Sequence, residues 1–342
     1  MGTGTAGGVP LSGIRFTDAA GRQIGHLDGS DELARYGARN HLVRRDRLQE
    51  QLRRAAEEAG VRITADARVV AVEQDGGRVV APLADGTTVG GDVLLGADGV
   101  HSTVRRLAFP EAPQPACTGI LNCGGWAPVD LPDTPEQHMV FGRRGFFGYV
   151  VHDGLAYWFS NVAHPEDPSR ASRREISGGQ ELAAVRAVHA EDPDPVPAIL
   201  AAATSVAGVW PVYDVRELPT WHTGRICLLG DAAHATSPNA GQGASLALED
   251  AVVLAACLRD LPDPAGAFAT FEGLRKERAE RIVRLSRRLG RQKVPSRAGA
   301  WFRDRMLPLF LKAGAAQTRE QYGYRFDFDA AVGSGRKTPA TR

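Results

Sequence analysis

The stretch from Ile226 to Leu258 constrains this chain most. Four apolar residues, Ile226-Cys227-Leu228-Leu229, run into Gly230-Asp231-Ala232-Ala233-His234. Ser237-Pro238-Asn239-Ala240-Gly241-Gln242 follows, and from Gly243 the sequence is nearly all apolar to Leu258. A short apolar run stopped by glycine reads as a strand buried in a sheet, and a long one as a buried helix. Such a strand delivers Asp231 at its C-terminal end, the edge where ligands collect on a parallel sheet. The glycines of the loop let backbone approach a flat ligand closely. The first amides of the helix then point back at that ligand and favour negative charge on it.

A second segment has the same grammar. Leu94-Leu95-Gly96-Ala97-Asp98-Gly99-Val100-His101-Ser102-Thr103-Val104-Arg105 reads as a buried strand from Asp92 to Leu95, a Gly/Asp turn and a helix start, with Ser102 placed to cap the helix. A Gly/Asp turn alone is common. Two such turns in this order are specific.

The remaining elements follow from periodicity and turn residues. Asp46 to Gly60 spaces Leu48, Leu52, Ala55, Ala56 and Ala59 as a helix, with Gly60 as its stop. Val61–Thr64, Ala67–Gln74 and Arg78–Leu83 read as strands, the last two paired across Asp75-Gly76-Gly77. Residues 117–162 read as antiparallel β. They include a hairpin of Phe146–Val151 with Leu155–Ser160, rich in aromatic residues. Residues 164–198 read as loop and an amphipathic helix around Leu182 and Val185, and Gly208–Val215 as a strand. A long charged helix covers Pro264 to Gln292, and the tail from Gly333 reads as disordered. Strand and helix alternate at both ends around a β-rich middle. The expected architecture is therefore α/β: a cofactor domain built from both ends of the chain, with an inserted sheet domain.

Composition narrows the function. A net charge of +1 over 342 residues recruits neither nucleic acid nor a membrane surface. No apolar run reaches the length of a bilayer span, and residues 1–10 lack the basic and apolar regions of a signal peptide. The cysteines, Cys117, Cys123, Cys227 and Cys257, form no Cys-x-x-Cys pair and no metal-ligand spacing with histidine. A reduced, cytoplasmic setting fits them. No Ser-His-Asp or metal constellation stands out.

The two motifs, in this order, resemble those of the class A FAD-dependent monooxygenases, the family of para-hydroxybenzoate hydroxylase and salicylate hydroxylase. The resemblance covers roughly residues 9 to 292. It implies a Rossmann-like FAD-binding domain of the para-hydroxybenzoate hydroxylase type, with an inserted antiparallel sheet domain for substrate. The implied segments are 1–106 and 216–295 for FAD, 107–215 for substrate, and 296–342 as a C-terminal helical segment and tail. By that likeness Asp231 hydrogen-bonds the FAD ribityl chain, and Gly230 belongs to the cofactor-binding set. Pro238, Gly241, Gly243 and Ala244 line the isoalloxazine. Asp98 and Gly99 support FAD and the transient docking of NAD(P)H. Arg45, in Val43-Arg44-Arg45-Asp46-Arg47-Leu48, matches an arginine on the diphosphate side, although Arg44 and Arg47 blur the register. Val69 matches a backbone contact near the adenine, an ordinary strand valine being the alternative. His234 reads as structural. The implied reaction is reduction of FAD by NAD(P)H, addition of O2 at flavin C4a, and transfer of one oxygen to an electron-rich ring. The cofactor carries the chemistry, while the protein orients, excludes water and tunes charge. The aromatic hairpin would roof a flat substrate, with Tyr149, Tyr157 and Tyr213 as polar handles; sheet core is the competing reading of each.

In one respect the sequence departs from the family, which begins with a strand, a Gly-x-Gly-x-x-Gly turn and a helix that bind the ADP moiety. Gly2-Thr3-Gly4-Thr5-Ala6-Gly7 fits in letters only, since no strand precedes it and Gly8-Val9-Pro10 follows. The expectation is a chain lacking that βαβ unit, with upstream in-frame sequence that encodes it. A flavin halogenase or prenyl reductase of related fold is an alternative, although the tryptophans at 126, 158, 210, 221 and 301 form no Trp-x-Trp-x-Ile-Pro stretch. A non-catalytic remnant acting as a binding protein is another. Residues 299–328 would cover the core or a partner subunit.

Overall fold

The protein is described by a computed structural model covering residues 8–164, 180–293, 304–307 and 321–332, without side-chain burial for 291–293. Gly2–Gly7, most of the loop expected after residue 164, most of 299–328 and the tail from Gly333 lie outside the described residues. The chain forms two compact units.

The first unit takes the described residues of 1–63, 119–211 and 292–323. Its main feature is a seven-stranded sheet in the order Gly208–Asp214, Ala116–Pro128, Leu155–Ala163, Gly145–His152, Gln137–Phe141, Gly13–Thr17, Gln23–Asp28. The expected hairpin is present, with Val151 opposite Ala156 and Phe147 opposite Ser160. Gly13–Thr17 pairs in parallel with Gln137–Phe141. That pairing draws residues 13–28 into the sheet unit, whereas the sequence grouped them with the first cofactor segment. The link joins strands more than a hundred positions apart, and local periodicity carries no record of it.

Side chains alternate across this sheet, so its two faces separate cleanly. Phe147, Tyr149, Val151 and Trp158 form one face and pack under the helices Gln180–His189 and Val196–Ala202 through Leu182, Val185, Val196, Ile199 and Leu200. Beneath those helices Ser160 Oγ lies 2.7 Å from His189 Nε2, and His189 Nδ1 lies 2.6 Å from Asp192 Oδ2, all three residues buried. The other face carries Phe141, Phe146, Met139 and Phe159.

The second unit takes 64–118, 212–291 and the described residues of 324–342. A three-stranded sheet runs His222–Thr223, Ile226–Leu228, Leu94–Gly96, and an antiparallel sheet runs Glu73–Gln74, Val79–Pro82, Thr88–Gly91. Helices Thr103–Ala108, Asp231–His234, Gly243–Asp260 and Pro264–Lys293 accompany them. Trp221, Cys227, Leu228, Val253, Phe268 and Phe271 are buried together in the core. The two apolar motifs thus form strand and helix as their patterns require.

Some expected elements are shorter or absent. Val61–Thr64 is not a strand, and Val61 and Ile63 are about half exposed. Ala67–Gln74 contracts to Glu73–Gln74 plus a single bridge between Val69 and Leu83. The helix Arg45–Glu58 forms, with Gly60 behind it at φ 85°, yet buries none of its residues. Leu95 is 39% exposed, so the strand Leu94–Gly96 is not covered on both faces among the described residues, whereas Ile226–Leu228 is buried throughout. An apolar period says which side chains prefer burial, not that a neighbour is present to bury them.

Candidate active site

The centre of the candidate site is the register of two parallel strands, with Leu228 opposite Gly96 and Ile226 opposite Leu94. Because the strands run in the same direction, both deliver their turns to one edge. Leu229 N donates to Gly96 O at 3.1 Å and extends the ladder to the start of the turns. Gly96 has no room for a side chain: a Cβ there would lie 2.7 Å from Leu228 Cδ2 and 2.9 Å from Val104 Cγ1. Glycine at this position lets the helix Thr103–Ala108 sit directly against the strand pair.

The first turn is held by its own aspartate. Asp98 Oδ2 accepts from Thr103 N at 2.6 Å and from Val104 N at 3.1 Å, while Oδ1 accepts from the Ser102 hydroxyl. Ser102 Oγ accepts from Arg105 N at 2.9 Å, the cap expected of it. The Asp98 carboxylate therefore satisfies helix amides that would otherwise lack partners. Gly99 takes φ 82°, a conformation that disfavours a side chain.

Arg105 joins this turn to the second. It is buried, and it donates from Nη1 to Ala232 O at 2.7 Å and from Nη2 to Val100 O at 2.6 Å. Burial lowers its pKa from the ordinary guanidinium value.

The second turn is clamped from below. Gly230 takes φ 56°, and its amide donates to Asp250 Oδ2 at 2.9 Å. Asp250 reaches back from the middle of the helix Gly243–Asp260. The same oxygen lies 2.6 Å from His234 Nε2, and Oδ1 accepts from Arg275 Nε at 2.8 Å. Arg275 Nη2 also meets Glu249 Oε2 at 2.7 Å, and Glu249 accepts both Nε and Nη2 of Arg278 at 2.9 Å. Burial pushes the Asp250 pKa up, but the His234 hydrogen bond and the His234 and Arg275 charges outweigh it, leaving the carboxyl below its usual range. His234 is buried, with its Nε2 engaged by Asp250.

Above this clamp the loop is open. Asp231 is exposed at the start of the short helix Asp231–His234. Pro238–Ala240 makes one 3-10 turn, and Gly241 follows at φ 64° with nothing within 4 Å of a Cβ built there. Pro238, Gly241 and Ala244 are exposed, and Gly243 opens the buried helix. The arrangement suits a flat ligand: a carboxylate for hydroxyl groups, backbone without bulky side chains, and helix amides for an electron-rich edge.

The second unit thus brings Asp98, Gly99, Gly230, Asp231, Pro238, Gly241, Gly243 and Ala244 onto two turns of one sheet edge and the loop that follows. Val69 sits apart from that edge, bridged to Leu83. Arg45 lies in the first unit, exposed at the start of its helix, while Arg44 pairs with Asp46 and lies over the Trp126 ring at 5.2 Å. Sequence reasoning gave no role to Arg105, Asp250 or Arg275. The signal available was charge in apolar surroundings: Glu249-Asp250 interrupts a nearly uncharged helix, and a buried carboxylate requires a partner.

Comparison with known proteins agrees with this geometry. A family described as FAD binding domain matches residues 5–137 and 189–286. The aurachin C monooxygenase/isomerase of Stigmatella aurantiaca is 32% identical over 310 residues, spanning 88% of this chain and 77% of that protein. A 3-amino-4-hydroxybenzoate 2-monooxygenase of Streptomyces platensis is 32% identical over 316 residues, 90% of this chain and 76% of that protein. The crystal structure of Klebsiella pneumoniae HpxO with FAD and uric acid superposes with a TM-score of 0.78 at 26% identity, covering 91% of this chain and 81% of that one. A salicylate hydroxylase complex shares the fold, with a TM-score of 0.67 at 21% identity. Fold, site and relatives converge: the chain belongs to the FAD binding domain family, among the class A FAD-dependent monooxygenases.

Proposed function

We propose that the chain hydroxylates an aromatic or heteroaromatic small molecule, using FAD, NAD(P)H and O2. The observation that supports this most is the pairing of Leu228 with Gly96, which sets two glycine-aspartate turns and a helix N-terminus at one sheet edge. The residues present fit a flavin. Exposed Asp231 suits the hydroxyls of the ribityl chain. Gly241 offers open space where a ring would lie, with Pro238, Gly243 and Ala244 beside it. The N-terminus of Gly243–Asp260 suits the negative charge of a reduced pyrimidine edge. Bound FAD would supply electron transfer from NAD(P)H and activation of O2. The chain's own residues bind and orient: Asp250 fixes the Gly230 amide, Arg105 ties the two turns, and Asp98 acts through its helix cap. Arg45 toward the diphosphate and Val69 near the adenine rest on family likeness alone.

Substrate recognition falls in this reading to the sheet of the first unit. Relatives named for urate and 3-amino-4-hydroxybenzoate support a flat ring as substrate. The four cysteines are free, which supports a reducing, cytoplasmic setting. Reconstitution tests the proposal. The chain should retain added FAD through gel filtration, then oxidise NADH or NADPH in step with O2 uptake when a hydroxylatable ring is present, yielding product with one added oxygen. A protein that ignores FAD would overturn it.

A further inference from the structure

The loop of residues 237–242 has a second anchor, on the helix Pro264–Lys293. Ser286 of that helix and Ser237 of the loop are both buried. The Ser286 hydroxyl donates to Ser237 O at 2.5 Å. It accepts from Ala240 N at 3.3 Å, and its Oγ lies 2.9 Å from Ser237 Oγ. A hydroxyl has one proton and two lone pairs. The Ser286 proton goes to Ser237 O, so the Ser237 hydroxyl is the donor between the two side chains. Ser237 Oγ then accepts from Asn239 Nδ2 at 2.9 Å, and that amide also reaches Ser286 O at 3.3 Å. The Ser286 hydroxyl thus spends its whole capacity on the loop, although a serine inside a helix can bond back to its own preceding turn.

The same helix holds the other end of the segment. Arg275 stands eleven residues before Ser286, three turns and about 16 Å along the axis, and therefore on nearly the same face. It fixes Asp250, which in turn holds the Gly230 amide. One helix thereby sets both ends of the stretch from Gly230 to Ala240, Arg275 through a carboxylate and Ser286 directly. Gly241 comes next, its amide closing the 3-10 turn on Pro238 O at 3.0 Å. A shift at the Ala240 amide passes straight into Gly241.

We propose that Ser286 is a positioning residue for the cofactor: it sets where the Ala240–Gly241 backbone lies, and through that backbone the surroundings of the ring. The inference rests on the flavin reading of this loop. Ser286→Ala leaves the Ala240 amide and the Ser237 hydroxyl without their partner, and the loop must move to satisfy them. Ser237→Ala keeps the Ser286 bonds to Ser237 O and Ala240 N, so it disturbs the loop less.

Amide hydrogen exchange of the full chain without FAD reads the anchor itself. A fragment spanning residues 237–242 should exchange about tenfold faster in Ser286→Ala than in the parent, one lost hydrogen bond being of that order, and by a smaller factor in Ser237→Ala. FAD titration of the same preparations reads the consequence. Ser286→Ala should bind FAD about tenfold more weakly, and the visible circular dichroism of its bound flavin should differ from the parent's. Ser160→Ala, which loses a buried bond to His189 in the other unit, is the control. It should lower the melting temperature and leave the exchange of 237–242, the FAD affinity and the flavin spectrum unchanged. Unchanged exchange in Ser286→Ala, or unchanged FAD affinity and dichroism despite faster exchange, would overturn the inference. Thermal melts check folding. If Ser286→Ala does not fold, Ser237→Ala takes its place, and a response no larger than that of Ser160→Ala overturns the inference. A parent chain that ignores FAD would sink the hydroxylase reading, while exchange alone still decides the anchor.

Discussion

Asp250 Oδ2 serves the Gly230 amide and His234 Nε2 at once, at 2.9 and 2.6 Å, from a fully buried position. One carboxylate thereby ties the turn before Asp231 to the helix after the loop, and Arg275 balances its charge from the next helix. Removing the carboxylate leaves Arg275 buried with one partner fewer. Asp250→Ala should cost about 3–5 kcal/mol, the range for breaking a buried ion pair on one side. Urea unfolding of the variant checks this, and a loss under 1 kcal/mol would show that the pair is not a structural anchor.

The same residue gives a pH dependence with a definite sign. The folded Asp250 pKa lies below its ordinary value, so the unfolded chain takes up the proton first as pH falls. Its contribution is complete well above about pH 3.9, the ordinary aspartate value, and is lost as pH drops through the lower folded value. Asp250→Asn should flatten the acid limb of stability against pH. Unfolding curves of both proteins between neutral pH and the acid limb decide it; parallel curves would refute the assignment.

Asp231 predicts the opposite balance. It is exposed, so Asp231→Ala should cost the FAD-free protein much less stability than Asp250→Ala does. Its affinity for FAD should drop tenfold or more, since a charged acceptor is worth about 1.5–3 kcal/mol. Flavin fluorescence titration and thermal melts of the same sample separate the two effects. A large loss of stability with unchanged FAD affinity would make Asp231 structural.

The sequence disclosed what local pattern and turn chemistry encode. Ile226–Leu228, the helix from Gly243 and the Ser102 cap follow from apolar runs and a hydroxyl at a fixed offset, and all are present. The pairing of Leu228 with Gly96 and of Phe16 with Met139 joins positions more than a hundred residues apart. Nothing in either segment alone specifies its neighbour. Asp98 shows a feature that its motif alone does not disclose: besides its place in the Gly/Asp turn, both its oxygens cap the helix beside that turn. Asp and Ser choose between cap and ligand according to what lies within reach. Arg275 stands in a strongly charged helical sequence, and only packing shows it to be buried.

Two glycines of the site should respond differently to the same methyl group. At Gly96 a Cβ would meet Leu228 Cδ2 at 2.7 Å and Val104 Cβ at 3.0 Å, inside a packed core. Gly96→Ala must push strand and helix apart, at about 1–3 kcal/mol for an overpacked core. At Gly241 nothing lies within 4 Å, and the cost is conformational, because φ 64° is left-handed and disfavours a side chain by about 1–2 kcal/mol. The new methyl at Gly241 would project into the space assigned to the flavin ring. Gly241→Ala should therefore weaken FAD by a larger factor than Gly96→Ala at equal loss of stability. Unfolding of both variants without FAD, followed by FAD titration, reads the two quantities in turn. If Gly96→Ala weakened FAD more for the same loss of stability, the ring would not lie over Gly241, and the loop would serve the sheet rather than the cofactor.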